Sequence, residues 1–261
     1  MTPVFDDDDS TISYQASSPD EVAIVNWTES VGLTLVQRDR YQITIRTPSN
    51  TLQRFQVLQL FPFTSESKRM SIIVKDLETN EITFYEKGAD VVMIPRVQRQ
   101  DWLEEETGNL AREGLRTLVM AQRRLTQASY EEFEQAYNSA KMNASLGRTE
   151  VAAEDVVDAY LEHDLELLGL TGVEDKLQDD VKPTLELLRN AGLKIWMLTG
   201  DKIETATCIA ISSKLVYRNQ YIHQIAKARS VEEMKDHLDF LQSKPDSCLI
   251  IDGESLSVSE L

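Results

Sequence analysis

Cysteine and histidine are scarce in this chain of 261 residues: Cys208 and Cys248, then His163, His223 and His237. Two cysteines exclude a disulfide framework and a four-cysteine zinc site. The histidines stand at spacings unrelated to metal ligation, so no metal site is expected. Both cysteines sit in apolar surroundings, TATCIAI and SCLIID, as small core residues of a reduced compartment do. No apolar run approaches the ~20 residues of a membrane span. The first residues also lack the apolar stretch of a signal peptide, so the chain as given is expected to be soluble. Positive charge is short too. The 44 acidic residues outnumber 27 Lys and Arg, for a net charge of −17. That balance argues against nucleic acid as a partner and against lying flat on an anionic leaflet. With 41% hydrophobic and 27% charged residues, the remainder is an ordinary globular composition with enough apolar surface for a core. Chemistry must then run through Asp, Glu, Lys, Arg, Thr and the backbone.

Residues 1–13, with the run Asp6 to Asp9, read as an acidic tail. Ser18-Pro19-Asp20-Glu21 has the form of a capping box with proline at the first helical position, and a helix is expected to follow through Val31. Strand signals come next, over Leu33–Val36, Tyr41–Arg46, Phe55–Phe63, Arg69–Leu77 and Glu81–Lys87, the last two flanking the turn Glu78-Thr79-Asn80. Short turns between such runs favour an antiparallel sheet. Helices are predicted over Ala89–Gln100, Trp102–Ala111, Tyr130–Ala144 (after a capping box from Ser129 to Glu132) and Val151–Leu161, with a strand over Leu118–Leu125. From Leu165 onward strands and helices alternate. Strands are expected over Leu165–Val173, Lys194–Thr199 and Ser247–Ile251; helices over Leu177–Ala191, Lys202–Leu215 and from Ser230. Alternation with nearly all-apolar strands marks a parallel sheet covered on both faces. The expected architecture is an α+β domain, an antiparallel sheet with helices, over residues 14–173. A partial Rossmann-like α/β domain follows over residues 174–261. Ending after a strand with no further helix, it looks truncated.

The stretch Lys194-Ile-Trp-Met-Leu-Thr199-Gly200-Asp201 carries the strongest chemical signal. A buried strand ending in Thr-Gly-Asp runs straight into a helix start, whose free N–H groups and positive dipole end suit a phosphoryl group. Gly200 as a turn and Asp201 as a cap is the plain structural alternative. With AGLKIWML before it and KIETA after it, the segment resembles the phosphorylation domain of P-type ATPases. Glu174-Asp175-Lys176-Leu177-Gln178 looks like the version in the phospholipid-transporting branch, the flippases. So do Tyr14-Gln-Ala-Ser-Ser-Pro-Asp-Glu21 and Phe61-Pro-Phe-Thr-Ser-Glu-Ser-Lys68-Arg-Met-Ser71. Lys87-Gly88-Ala89 and Gly114-Leu-Arg116-Thr-Leu118 complete the series in the expected order. Trp27 to Val36 is similar to class II members of that branch.

The resemblance implies a nucleotide-binding domain followed by part of a haloacid-dehalogenase-type phosphorylation domain. It implies ATP with Mg²⁺, whose ligands lie mostly outside this chain. Phe63 would face adenine with Glu21 nearby, and Lys68, Lys87 and Arg116 would contact the nucleotide. Asp175 matches the family's hinge aspartate, while Thr199, Gly200 and Asp201 would hold the γ-phosphate. Gln178 stands where ion pumps carry arginine, so that arginine's role does not transfer. On the residues alone, Phe63 suits a core position at a strand end as well as a stacking face. Lys68 and Lys87 suit solvated hairpin positions as well as phosphate contacts. Glu21 is already explained by the capping box, and Arg116 follows Gly114 in an expected turn.

The Asp-Lys-Thr-Gly-Thr segment with the phosphorylated aspartate is absent, as is Gly-Asp-Gly-x-Asn-Asp. The implied partners are therefore the actuator, remaining phosphorylation and membrane domains of the same protein, with a phospholipid substrate. The implied setting is the cytosolic side of a membrane, Golgi or endosomal by the class II likeness. Asp252-Gly-Glu-Ser255 imitates an actuator motif but reads as a strand-end turn. Asp7-Asp8-Asp9-Ser10-Thr11 fits the nucleophile pattern of haloacid-dehalogenase phosphatases without the buried strand that pattern needs. A soluble phosphatase of that type and a non-catalytic nucleotide-sensing module are the two alternatives.

Overall fold

A computed structural model describes residues 2–5, 12–16, 18–145, 153–174, 177–217, 219–244 and 246–258. The chain divides into two compact units: residues 1–107 with 117–173, and residues 108–116 with 174–261.

In the first unit, β1 (Thr2–Phe5) pairs antiparallel with β2 (Ile12–Gln15). Residues 2–5, placed in the tail by their acidic neighbours, are thus in a ladder; the Asp6–Asp9 run and the Asp7–Thr11 pattern lie outside the described residues. Helix α1 (Pro19–Ser30) starts as its sequence dictates: the Ser18 hydroxyl accepts from Asp20 N–H, and Pro19 spends no needed donor. A seven-stranded sheet follows in the order β3 (Thr34–Arg38), β4 (Gln42–Arg46), β5 (Leu52–Phe61), β6 (Arg69–Asp76), β7 (Ile82–Gly88), β8 (Leu115–Leu125) and β9 (Glu166–Glu174). From β3 to β8 each neighbouring pair is antiparallel. Between β7 and β8 lie α2 (Asp90–Met93) and α3 (Leu103–Arg112); between β8 and β9 lie α4 (Gln127–Ser145) and α5 (Ala153–Tyr160).

Period-two alternation sorts β7 cleanly. Ile82, Phe84 and Glu86 are buried on one face, while Tyr85 and Lys87 turn to the other. Phe84, Ile73, Phe133, Met93, Leu161 and Leu165 build the core under the first face. Phe61 meets Phe84, Phe133 and Tyr137 edge-on, with centroids 5.6–6.4 Å apart.

Several expectations are corrected by identifiable residues. The helix predicted over Ala89–Gln100 stops at Met93, because Pro95 cannot sit inside a helix. Strand β5 ends at Phe61 because Pro62, next in the chain, has no N–H to give a ladder. Thr126 caps α4, accepting from Ser129 N–H at 3.1 Å, three residues before the predicted cap. Arg116 is the second residue of β8 rather than part of a turn; the turn is completed at Gly114, at φ 85°.

In the second unit, α6 (Val181–Asn190) begins later than predicted, which keeps Pro183 in its first turn. It is followed by α7 (Ile203–Ser212), β10 (Tyr221–Ile225), α8 (Val231–Gln242), β11 (Ser247–Ile251) and α9 (Gly253–Val258). Strands β10 and β11 pair in parallel; β10, whose His223 and Gln224 interrupt the apolar pattern, was not anticipated. Nor was α9, which adds a short helix after the last predicted strand. Asp252 accepts from Ser255 N–H at 2.7 Å and caps α9, so the Asp-Gly-Glu-Ser segment, expected as a strand-end turn, is instead the cap and first turn of a helix. The strand expected at Lys194–Thr199 is irregular chain outside any ladder, with Trp196 83% and Leu198 91% exposed. A buried parallel strand needs hydrogen-bonding neighbours, and none pairs with it among the described residues.

Candidate functional site

Antiparallel pairing of β6 with β7 sets Met70 opposite Lys87. On that face of the sheet, α1 and the strands enclose a cavity of about 330 Å³. Its walls include Ile24, Val25, Leu35, Leu60, Met70, Ile72 and Met120, with Glu21, Arg38 and Lys87 supplying charge. Lys87 Nζ donates to Glu21 Oε1 at 3.0 Å, and the two side chains are only 25% and 17% exposed. Glu21 thus has a partner that a capping box alone does not explain. An apolar slot edged by a few fixed polar groups is the usual form of a small-molecule site, and suits a flat heteroaromatic ring with a polar rim.

Phe63 and Lys68 are not among the lining residues. Both lie on the connection between β5 and β6, where Phe63 is 58% exposed and Lys68 is exposed too. In the Phe61-Pro62-Phe63 triplet it is Phe61 that joins the core, so the core alternative for Phe63 falls. Lys68 holds φ at 53°, a left-handed conformation uncommon for a side-chain-bearing residue. Thr64 closes the turn before it: its hydroxyl accepts from Ser67 N–H and its carbonyl from Lys68 N–H, each at 3.0 Å. Gly88 has a steric reason. A Cβ there would come within 2.7 Å of Arg69 Cβ and 3.0 Å of the Lys68 carbonyl.

The other predicted residues fall in the second unit. The Thr199 hydroxyl donates to Asp201 Oδ2 at 2.9 Å and accepts from Asp201 N–H at 3.1 Å, folding the chain about Gly200 just before α7. Arg116 Nε donates to Asp201 Oδ1 at 3.2 Å. The Thr205 hydroxyl reaches the Leu115 carbonyl at 3.4 Å, fastening α7 to the segment that carries Arg116. The Thr199–Asp201 loop and Arg116 are therefore brought together. Asp175 lies outside the described residues. Among the described residues no group of three or more His, Cys, Asp or Glu is placed to hold a metal ion.

Sequence reading missed Met70: a turn confined to Glu78–Asn80 would set Ser71 opposite Lys87, whereas the observed ladder is shifted by one residue and pairs Met70 with it. It also missed a charged cluster behind β7 that includes Glu86, Arg69 and Glu162. Burial and the adjacent Glu162 carboxylate push the Glu86 carboxyl up to about 8, so it is protonated at neutral pH. No sequence signal joins Glu162 to Arg69.

Comparison with known proteins gives this geometry a family. The family model for P-type ATPase, cytoplasmic domain N, matches residues 4–180, and the chain belongs to that family. Among its relatives, the phospholipid-transporting ATPase NEO1 of Saccharomyces cerevisiae is 55% identical over 99% of this chain. The probable phospholipid-transporting ATPase IIB of Homo sapiens is 60% identical over 96% of it. The probable phospholipid-transporting ATPase tat-5 of Caenorhabditis elegans is 52% identical over 99%. The chain spans 22% of the length of the first two relatives and 24% of the third.

Proposed function

We propose that this chain is the ATP-binding cytosolic portion of a phospholipid-transporting P-type ATPase. The observation that carries the reading is the Glu21–Lys87 pair on the wall of an apolar cavity of about 330 Å³. Adenine would enter beside Met70, with Glu21 meeting its polar edge and Phe63 offering a stacking face worth about 1–3 kcal/mol. Lys68, Lys87 and Arg116 would neutralise the phosphates in a chain whose net charge of −17 otherwise opposes an anion. Thr199, Gly200 and Asp201 would position the γ-phosphate, and Asp175 would serve the hinge. The acceptor aspartate lies outside this sequence, so this chain's residues bind and orient while the transfer itself needs the longer protein.

Mg²⁺ accompanies ATP in such chemistry and supplies charge neutralisation. The described residues hold no cluster of acidic, histidine or cysteine side chains that fits a site of their own for it. The second unit reads as part of a Rossmann-like, haloacid-dehalogenase-type domain whose sheet is completed by strands elsewhere in the longer protein. Exposed Trp196 and Leu198 support this, because clustered apolar side chains left open to water mark a surface that another element covers. The phosphoenzyme cycle would drive phospholipid toward the cytosolic leaflet of Golgi or endosomal membranes.

Calorimetric titration of ATP tests the site. Lys87→Ala and Phe63→Ala are each expected to weaken binding; affinity unchanged in both removes them from it. Phosphatase turnover by this chain, lost on Asp7→Asn, would instead favour a hydrolase.

A further inference from the structure

Arg69 opens β6 immediately after Lys68, and its guanidinium is divided between two tasks. Nη1 donates to the Ser67 carbonyl at 3.2 Å, inside the connection that carries Phe63 and Lys68. Nε and Nη2 grip the two oxygens of Glu162 at 3.0 and 2.8 Å. Glu162 follows α5, lies 93 positions along the chain from Arg69, and its side chain is 3% exposed. Arg96 Nε adds a third bond to Glu162 at 3.0 Å. The same Arg96 donates to the Val92 carbonyl at 2.7 Å and to Asp158 at 2.8 Å. Glu162 is therefore tied on one side to the helical layer and on the other to the β5–β6 connection. Glu86 lies 3.4 Å from Arg69 Nε; neutral at pH 7, it leaves the arginine's charge to Glu162.

A buried cluster of this kind is a poor source of stability, since desolvation offsets most of the attraction. What it supplies is geometry. Local bonds between Thr64 and Ser67 give the turn its shape, and Arg69 gives it a place. Across the ladder Arg69 stands opposite Gly88, and the Lys68 carbonyl accepts from Ala89 N–H at 3.1 Å. The segments bearing Phe63, Lys68 and Lys87 are registered at this one point.

We propose that Glu162, acting through Arg69, is a positioning residue of the nucleotide site: it sets the Pro62–Lys68 connection, and with it Phe63 and Lys68, against Lys87. This rests on the nucleotide reading above and adds to it a residue that touches no ligand.

The test is ATP titration into the 261-residue chain carrying Glu162→Gln, Arg69→Lys, Lys68→Ala, or Lys68→Ala with Glu162→Gln. Glu162→Gln is expected to weaken ATP about tenfold. Arg69→Lys, which keeps the charge but loses the two-pronged grip, should do the same. In the Lys68→Ala background the Glu162 change is expected to cost clearly less, because a side chain it places is gone. A residue that merely stabilises the fold would cost equally in both. Thermal melts accompany each variant, and Arg69→Lys carries the test if Glu162→Gln does not fold. Unchanged affinity in a folded variant, or equal losses in both backgrounds, overturns the proposal. Failure of the unaltered chain to bind ATP overturns the nucleotide reading itself, so the two failures are distinguishable.

Discussion

The two units solve the same problem, burying strands, with different completeness. In the first, β3 to β7 form an antiparallel meander joined by short connections, to which β8 and β9 add after helical excursions, and Phe84 and Ile73 are fully buried. In the second, β10 and β11 form a two-stranded ladder over a small cluster of Ile225, Ala228 and Met234, while the apolar Leu193–Thr199 segment lies open. The difference teaches that hairpin sheets assemble from local pairs. A parallel sheet depends on strands separated by whole helices, and a chain carrying only some of them leaves apolar backbone uncovered.

The sharpest way to break this contrast is to empty the better core. Phe133→Ala should cost about 3–5 kcal/mol in the first unit, read as a fall in its thermal midpoint; a loss below about 1 kcal/mol would mean that core is looser than its burial implies. A pH series comes next. The Glu86 carboxyl is raised from 4.5 to about 8 by burial and by Glu162, so the folded state holds a proton that the unfolded chain releases. Its contribution is fully present below about 4.5 and is lost as pH rises toward 8, on the order of a few kcal/mol. Glu86→Gln should flatten that slope in denaturant titrations at pH 5 and pH 8, and an unaltered slope would refute the assignment. Gly88→Ala should destabilise by about 1–3 kcal/mol through its approach to Arg69, again by thermal melt.

At the weak end, Trp196→Ala should shift the midpoint by no more than about 0.5 kcal/mol, as for a surface position. A larger loss would show that the segment is covered after all. Hydrogen exchange sharpens the comparison overall: amides over 177–258 should open more readily than those of β6 and β7, whereas equal protection would erase it.

What was legible follows range. Ser18 with Pro19 and Ser230 with Glu233 are short-range rules acting where they stand, and Pro95 is one that the helix expected over Ala89–Gln100 overlooked. The Glu78–Asn80 turn marked the β6–β7 hairpin, but the observed register, with Met70 opposite Lys87, is one residue away from the one such a turn implies. The motif residues were visible only through family resemblance, because an isolated lysine or phenylalanine carries no sign of its surroundings. Glu162 was invisible: nothing near it in sequence distinguishes a buried anchor from a solvated glutamate.

The sequence by itself determined most of the element order, the starts of α1 and α8, the antiparallel character of the first unit and the P-type ATPase motifs, since propensity, capping and period-two alternation act between near neighbours. Tertiary structure alone decided that Phe61 goes inward while Phe63 stays exposed, that Glu21 reaches Lys87, that Lys194–Thr199 is left without a ladder, and that Arg69 finds Glu162. Each of those outcomes depends on which distant surface arrives to exclude water, and no local pattern encodes that.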